Sequence, residues 1–281
     1  MLKVTFFGTT VLLFDDGKDQ ILFDAHFTRP HIQKFFKKEV VRTDTALCDR
    51  IIKEHNINRL KAIFVSHTHH DHVMDVSYFA NRCGARVYGS KSARNVALGG
   101  HVKASHIEVF EEGNCYTVGD YKITVMKALH SKPTIINDNL GEEITEPLYQ
   151  PTILQSYKEG GSYDFYVEHG DKKILIHPSC NYIEGKLEGI EADTVFLGVA
   201  GITKMDDVET KAFFKETVET INAKLVIPVH WDNFFSPLEK PIENMPEYVE
   251  RLDIVFYETA KYCEAHDISF LIQYPCTSIE L

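Results

Sequence analysis

The sequence predicts an α/β fold, with residues 1–281 forming one domain of two similar layers, sheets inside and helices outside. Three observations lead there. Short β-branched or aromatic runs precede amphipathic stretches in both halves of the chain. Several apolar runs stop at a histidine, and no low-complexity linker divides the halves.

The elements follow in order. Lys3–Phe7, Val11–Phe14 and Gln20–Phe23 read as strands separated by the turn signals Gly8-Thr9 and Asp15-Asp16-Gly17. Between Thr43 and His55 the period changes, and Leu47, Cys48, Ile51 and Ile52 share one helical face behind Asp44. Leu60–Ser66 is a continuous apolar run, as in a strand buried on both faces, and it ends at His67. A helix over His72–Cys83, a strand over Ala85–Gly89 and a short helix over Ser92–Leu98 complete the first half. Cys115–Val118 and Tyr121–Ala128 form a hairpin that delivers His130. Ser131–Ser162 carries three prolines and five acids against two lysines. It is either a lid loop over a site or a surface excursion without a role. Strands at Tyr163–His169, Lys173–His177, Thr194–Val199 and Lys224–Val229 follow, with a helix over Asp206–Asn222 before the last of them. A helix from about Glu247 to Cys263 and a strand over Ile268–Tyr274 close the pattern.

Composition narrows the function. Hydrophobic residues are 44% and charged residues 25%, a globular balance, and 30 Lys+Arg against 41 Asp+Glu give a formal charge of -11. Such a field disfavours nucleic acid and anionic membranes as partners. The six cysteines lie singly, no run is apolar enough to span a bilayer, and MLKVTFFG leads straight into strand-like sequence. The expectation is a cytoplasmic protein with reduced thiols. Oligomeric state is not written in the sequence.

The segment Ser66-His67-Thr68-His69-His70-Asp71-His72 carries the chemistry. Four imidazoles in six residues suit a polar site better than an apolar core, because each buried ring nitrogen needs a partner. His67 and His69, two apart at a strand end, can face the same point, while Asp71 and His72 aim a carboxylate and a third ring nearby. Imidazole and carboxylate suit Zn²⁺, Mn²⁺ or Fe.

This HxHxDH run, with His130 and His230 at later strand ends, resembles the metallo-β-lactamase superfamily across nearly the whole chain. The ending Pro228-Val229-His230-Trp231-Asp232 is similar to the lactonase-like and phospholipase-like branch, which includes ascorbate-6-phosphate lactonase. The resemblance implies an αββα sandwich of two mixed sheets between helices. It also implies one or two divalent ions, zinc foremost, with His67, His69 and His130 holding the first and Asp71, His72 and His230 the second. His70 would point away, and Asp24 would support the ligands from behind. A metal-bound hydroxide would attack the substrate, Asp71 orienting it and His230 or His177 protonating the leaving group.

One position departs from that pattern. The aspartate that usually bridges two metals falls on Ser179 in Ile176-His177-Pro178-Ser179-Cys180, with His177 or Cys180 as substitutes if the backbone shifts. Without that charge the second ion binds more weakly. Three readings stay open: two ions, one tight and one weak, or a lapsed catalyst. His26, Arg29 and His31, following Asp24, are either an anion-receiving loop or ordinary surface. The function expected is a metal-dependent hydrolase of a small-molecule ester, lactone or phosphoester. The alternatives are a phosphodiesterase or nuclease of the same superfamily, and a catalytically silent metal- or ligand-binding protein.

Overall fold

A computed structural model describes residues 1–281. The first half contributes β1 (Lys3–Phe6), β2 (Leu12–Asp15), β3 (Gln20–Phe23), α1 (Gln33–Phe36), β4 (Val40–Val41), α2 (Thr45–Glu54) and β5 (Leu60–Phe64). It continues with α3 (His70–Val73), α4 (Val76–Cys83), β6 (Arg86–Gly89), α5 (Lys91–Gly99) and β7 (Ile107–Val109). The second half contributes β8 (Cys115–Val118), β9 (Tyr121–Ala128), β10 (Thr152–Ile153), β11 (Ser162–His169), β12 (Lys172–His177) and β13 (Thr194–Gly198). It ends with α6 (Asp207–Phe214), β14 (Leu225–Val229), α7 (Leu252–Ala265), β15 (Ser269–Phe270) and β16 (Thr277–Glu280).

Two mixed seven-stranded sheets result, in the orders β16-β1-β2-β3-β5-β6-β7 and β15-β14-β13-β12-β11-β9-β8. Hairpin-linked strands run antiparallel, whereas β3, β5, β6 and β7, and likewise β12 to β15, run parallel. Aromatic rings from both sheets close the space between them. Phe23 lies 5.4 Å from Phe165, Phe64 lies 5.7 Å from Phe165, and Phe14 lies 6.0 Å from Phe196, all fully buried. A second apolar cluster, including Phe27, Leu47, Ile51 and Phe79, packs α2 and α4 onto the outer face of the first sheet. The predicted α/β sandwich is the observed architecture.

Helix starts obey local chemistry. Asp44 accepts from the Leu47 amide at the head of α2, Ser90 accepts from Ala93 at α5, and Asp206 and Glu209 form a reciprocal capping box at α6.

Boundaries differ from expectation where polar anchoring overrides periodicity. The expected His72–Cys83 helix is two pieces, because Asp75 turns its carboxylate to the amides of Phe27 and Thr28, both at 2.7 Å. The Asp206–Asn222 helix changes to a π turn at Lys215–Glu219. The expected helix from Glu247 starts at Leu252, after a turn closed by the Val249 amide on the Pro246 carbonyl. The expected strand Ile268–Tyr274 pairs only over β15, since Pro275 brings no amide donor and Cys276, at φ 62°, turns the chain toward β1 as β16.

The stretch 131–162 is mostly a fastened strap. β10 pairs with β4, Leu154 and Tyr157 are buried, and α5 grips the segment through Asn95 to the Ile144 carbonyl (2.6 Å) and Ser92 to the Ile144 amide (2.9 Å).

Candidate metal centre

Strand ends converge on one point between the sheets. The segment after β5 brings His67, His69, Asp71 and His72 from the first sheet; β9 and β14 bring His130 and His230 from the second. The ligand-type atoms of His67, His69 and His130 lie within 4.8 Å of one another, and so do those of Asp71, His72 and His230. These are the two groupings expected from sequence.

His72, His69 and His130 each have a defined outward partner. His72 donates from Nδ1 to Asp24 (2.7 Å), whose carboxylate also accepts from the Ser66 amide (2.8 Å) and from the Ser66 and Thr10 hydroxyls (2.7 and 2.5 Å). Asp24 therefore sits behind His72, on the side away from Asp71 and His230. His69 points Nε2 at the Asn139 side-chain oxygen (2.8 Å), which leaves Nδ1 facing His130 Nε2 at 3.1 Å. His130 is fixed by its Nδ1 to the Ser131 carbonyl at 3.0 Å. Asp71 Oδ2 lies 3.6 Å from His72 Nε2 and 3.3 Å from His230 Nε2. With Nε2 turned to Asp71, His230 keeps only a buried Nδ1 free, a poor position from which to protonate a substrate.

Two buried atoms test whether a metal fits. His67 Nε2 in the first group and His72 Nε2 in the second have no hydrogen-bond partner. Leaving such atoms unpaired costs about 1–3 kcal/mol each, and a divalent ion bound to each group would satisfy both. Protonation agrees. Burial, then the neighbouring rings of His72, His130 and His69, holds His67 well below the ordinary histidine value. Burial with His69 beside it pushes His130 down to about 3. Neutral imidazoles are the ligand form. Burial favours a neutral Asp71, but His72, the hydrogen bond from His230 and His70 outweigh it and hold the carboxyl well below its usual range, so it is ionised.

Other expectations need correction. His177 is neither ligand nor acid: its Nδ1 meets Asp164 at 2.9 Å and its Nε2 the Asn181 carbonyl at 2.7 Å, so both nitrogens are spent. It works indirectly, because the turn it holds lets the Asn181 side chain donate to the His130 carbonyl at 2.7 Å. His26 is buried, bonded to the Phe234 carbonyl at 3.1 Å, and does not line the cavity. Arg29 is locked in a buried pair with Asp232 at 2.8 Å, and exposed His31 accepts from the Gln33 amide, so no anion-receiving loop forms. His70 does not point wholly away. It lines the cavity, with Nδ1 3.9 Å from Asp71 Oδ1, and its Nε2 is unpaired.

Ser179 and Cys180 do line the cavity. The turn carrying them presses on Gly198, where a Cβ would stand 2.2 Å from the Pro178 carbonyl oxygen. Cys180 belongs to neither ligand group, and burial, with Glu250 near, pushes its thiol well above the ordinary value. A neutral thiol is a poor metal ligand.

Two sheets that meet over paired His/Asp triads at their strand ends define a protein of the metallo-β-lactamase fold. A family model described as Beta-lactamase superfamily domain matches residues 19–231, and the chain belongs to that superfamily. A Chloroflexus aurantiacus protein named a metal-dependent hydrolase is 29% identical over 179 residues. That match takes in 62% of this chain and 65% of the relative, a little under two thirds of its length. Among solved structures, the metallo-β-lactamase fold protein YhfI of Bacillus subtilis superposes with a TM-score of 0.60 at 15% identity, over 100% of both chains. CmlA, a diiron β-hydroxylase of Streptomyces venezuelae, gives 0.63 at 11% identity, over 100% of this chain and 54% of the other.

Proposed function

We propose that this chain is a metal-dependent hydrolase of small-molecule esters, lactones or phosphoesters. The observation that carries the reading is the convergence of buried, unpaired His67 Nε2 and His72 Nε2 on two ligand-type triads. His67, His69 and His130 would hold one ion, and Asp71, His72 and His230 a second, zinc foremost, with manganese or iron as alternatives. Ions of this kind supply Lewis acidity and bring the pKa of water toward about 7. Asp71 would hold the second ion through Oδ2, the oxygen that faces His72 and His230, and Oδ1 is the oxygen left to orient the attacking water. Asp24 keeps the His72 tautomer fixed, and Asn139 does the same for His69.

The fold is shared with CmlA, a diiron β-hydroxylase, so fold alone does not select hydrolysis. The charge of -11 and a cavity lined by no arginine weigh against a nuclease. Assignment to the lactonase-like branch rests on the Pro228–Asp232 ending. A cytoplasmic location rests on six unpaired cysteines, and no helix is long and apolar enough to cross a membrane.

Ser179 favours a second reading of the metal count, one tight ion and one weak. Elemental analysis of protein purified without chelator, with hydrolysis measured on the same sample, tests all of this. Bound zinc, turnover of an activated ester, and loss of both in His69→Ala would support the proposal. Metal without turnover would move the chain to the binding-protein class, and iron without hydrolysis to redox chemistry. Ser179→Asp should tighten the weaker ion about tenfold or more; an unchanged affinity would mean Ser179 does not face the ions.

A further inference from the structure

The cavity beside the metal centre has a composition that selects its ligand. One end is the triads. Among the remaining polar and charged lining residues stands an apolar patch, built by Ile136, Met205, Trp231, Phe234, Met245 and Val249 from three separate segments. All but Trp231 are half-buried, with surface left uncovered, and Ile135, next to Ile136 in the chain, is 76% exposed. Apolar surface assembled around a polar reaction centre is what recognises the non-reacting body of a substrate.

The charges on that wall sort cleanly. Glu250 is consumed by the loop it supports, accepting from the Gly201 amide at 2.6 Å and from Thr203. Lys132 is paired with Glu209 at 2.5 Å. Lys204, exposed, lines the cavity and makes no ion pair. One free ammonium matches one negative charge. No arginine lines the cavity, so a phosphate would lack a bidentate guanidinium contact, whereas one ammonium suffices for a carboxylate.

Building on the hydrolase reading, we propose that the substrate is an ester or lactone with an apolar body and one carboxylate, the body lying against the Ile136–Met205–Met245–Val249 wall and the carboxylate at Lys204. Hydrolysis then breaks the acyl C–O bond, water giving its hydroxyl to the acyl carbon and its proton to the departing alkoxide. The products are a second carboxylate and an alcohol, or from a lactone a single hydroxy acid.

Trp231 is the chain's single tryptophan and lies in this wall, so its fluorescence reports occupancy. The full-length protein as purified is titrated with acetate, butyrate, hexanoate and octanoate, and with octanol. Affinity should rise roughly fourfold per added methylene, since each buried CH₂ contributes about 0.8 kcal/mol when fully covered. Lys204→Glu should weaken octanoate at least tenfold while octanol is unaffected, and Met245→Asp should remove the chain-length dependence. Affinity independent of chain length, or octanoate binding insensitive to Lys204→Glu, overturns the proposal. Monomethyl sebacate, a ten-carbon chain with an ester at one end and a carboxylate at the other, separates this proposal from the hydrolase reading. If it binds with the expected Lys204 dependence but is not cleaved, the hydrolase reading fails and the pocket assignment stands. If methyl acetate is cleaved with an equal kcat/KM, the pocket assignment fails and the hydrolase reading stands.

Discussion

At the scale of single residues, metal affinity in such a centre depends on groups that never touch the ion. Asn139 is buried, and its side-chain oxygen takes the His69 Nε2 proton at 2.8 Å, which fixes the tautomer that turns Nδ1 toward His130. Asn139→Ala should weaken the first ion about tenfold to a hundredfold. Asn139→Asp keeps the acceptor and should recover the loss; metal titration of the two variants decides between positioning and mere packing, since equal loss in both would refute the positioning role. Sequence and structure divide here in an instructive way. His67, His69, Asp71 and His72 were legible because the chain places them side by side after an apolar run. His130 and His230 were legible only because the resemblance said to look at later strand ends. Asn139 sits among polar loop residues with no periodicity, so nothing local marked it. His177 misled because a histidine at a strand end looks the same from sequence whether it faces the ions or Asp164.

At the scale of elements, the turn between β1 and β2 positions β14's end. The His230 amide donates to the Thr9 carbonyl at 2.6 Å, and the Thr9 amide donates to Asp232 at 2.7 Å. His230 itself adopts φ 60°, an unfavourable backbone state held by these bonds. Arg29 completes the clamp by pairing with Asp232 and the Phe7 carbonyl (3.0 Å). Gly8 makes room for it: at φ 93°, a Cβ would stand 2.1 Å from Arg29 Nη2 and 2.4 Å from Asp232 Oδ2. Gly8→Ala should therefore cost about 3–5 kcal/mol by breaking a buried ion pair. Urea unfolding measures it, and a loss under about 1 kcal/mol would show that the clamp has slack. Strands with strong periodicity were placed within a residue or two from sequence. The termini of α6 and α7 and the brief β15 were not, because a π turn, a proline-led turn and a crossing to the opposite sheet are set by tertiary contacts.

At the scale of the molecule, both triads draw on both sheets: His67, His69, Asp71 and His72 follow β5, while His130 follows β9 and His230 follows β14. An ion in either group ties one sheet to the other, and the unfolded chain offers no such preformed site. Stripping the metal should lower stability by RT ln(1 + [L]/Kd), about 4 kcal/mol at a thousandfold excess over Kd, and so lower Tm by roughly 10 °C. Calorimetry with and without chelator is the check. A Tm unmoved by chelation in a metal-loaded sample would mean the sheets hold their relation without the ions. The αββα architecture was legible because alternation of strand and helix is written locally. The strap over 131–162 was not, since its hold on α5 and β4 depends on contacts distant in sequence.

That spread along the chain also sets a timetable. The donors of the first triad are all synthesised once residue 130 is made, whereas the second waits for residue 230, one hundred residues later. At about 5–20 residues per second the interval is roughly 5–20 s. A nascent chain thus offers cellular metal an incomplete centre before the whole one, and Asn139, which orders His69, is among the first residues to arrive in that gap.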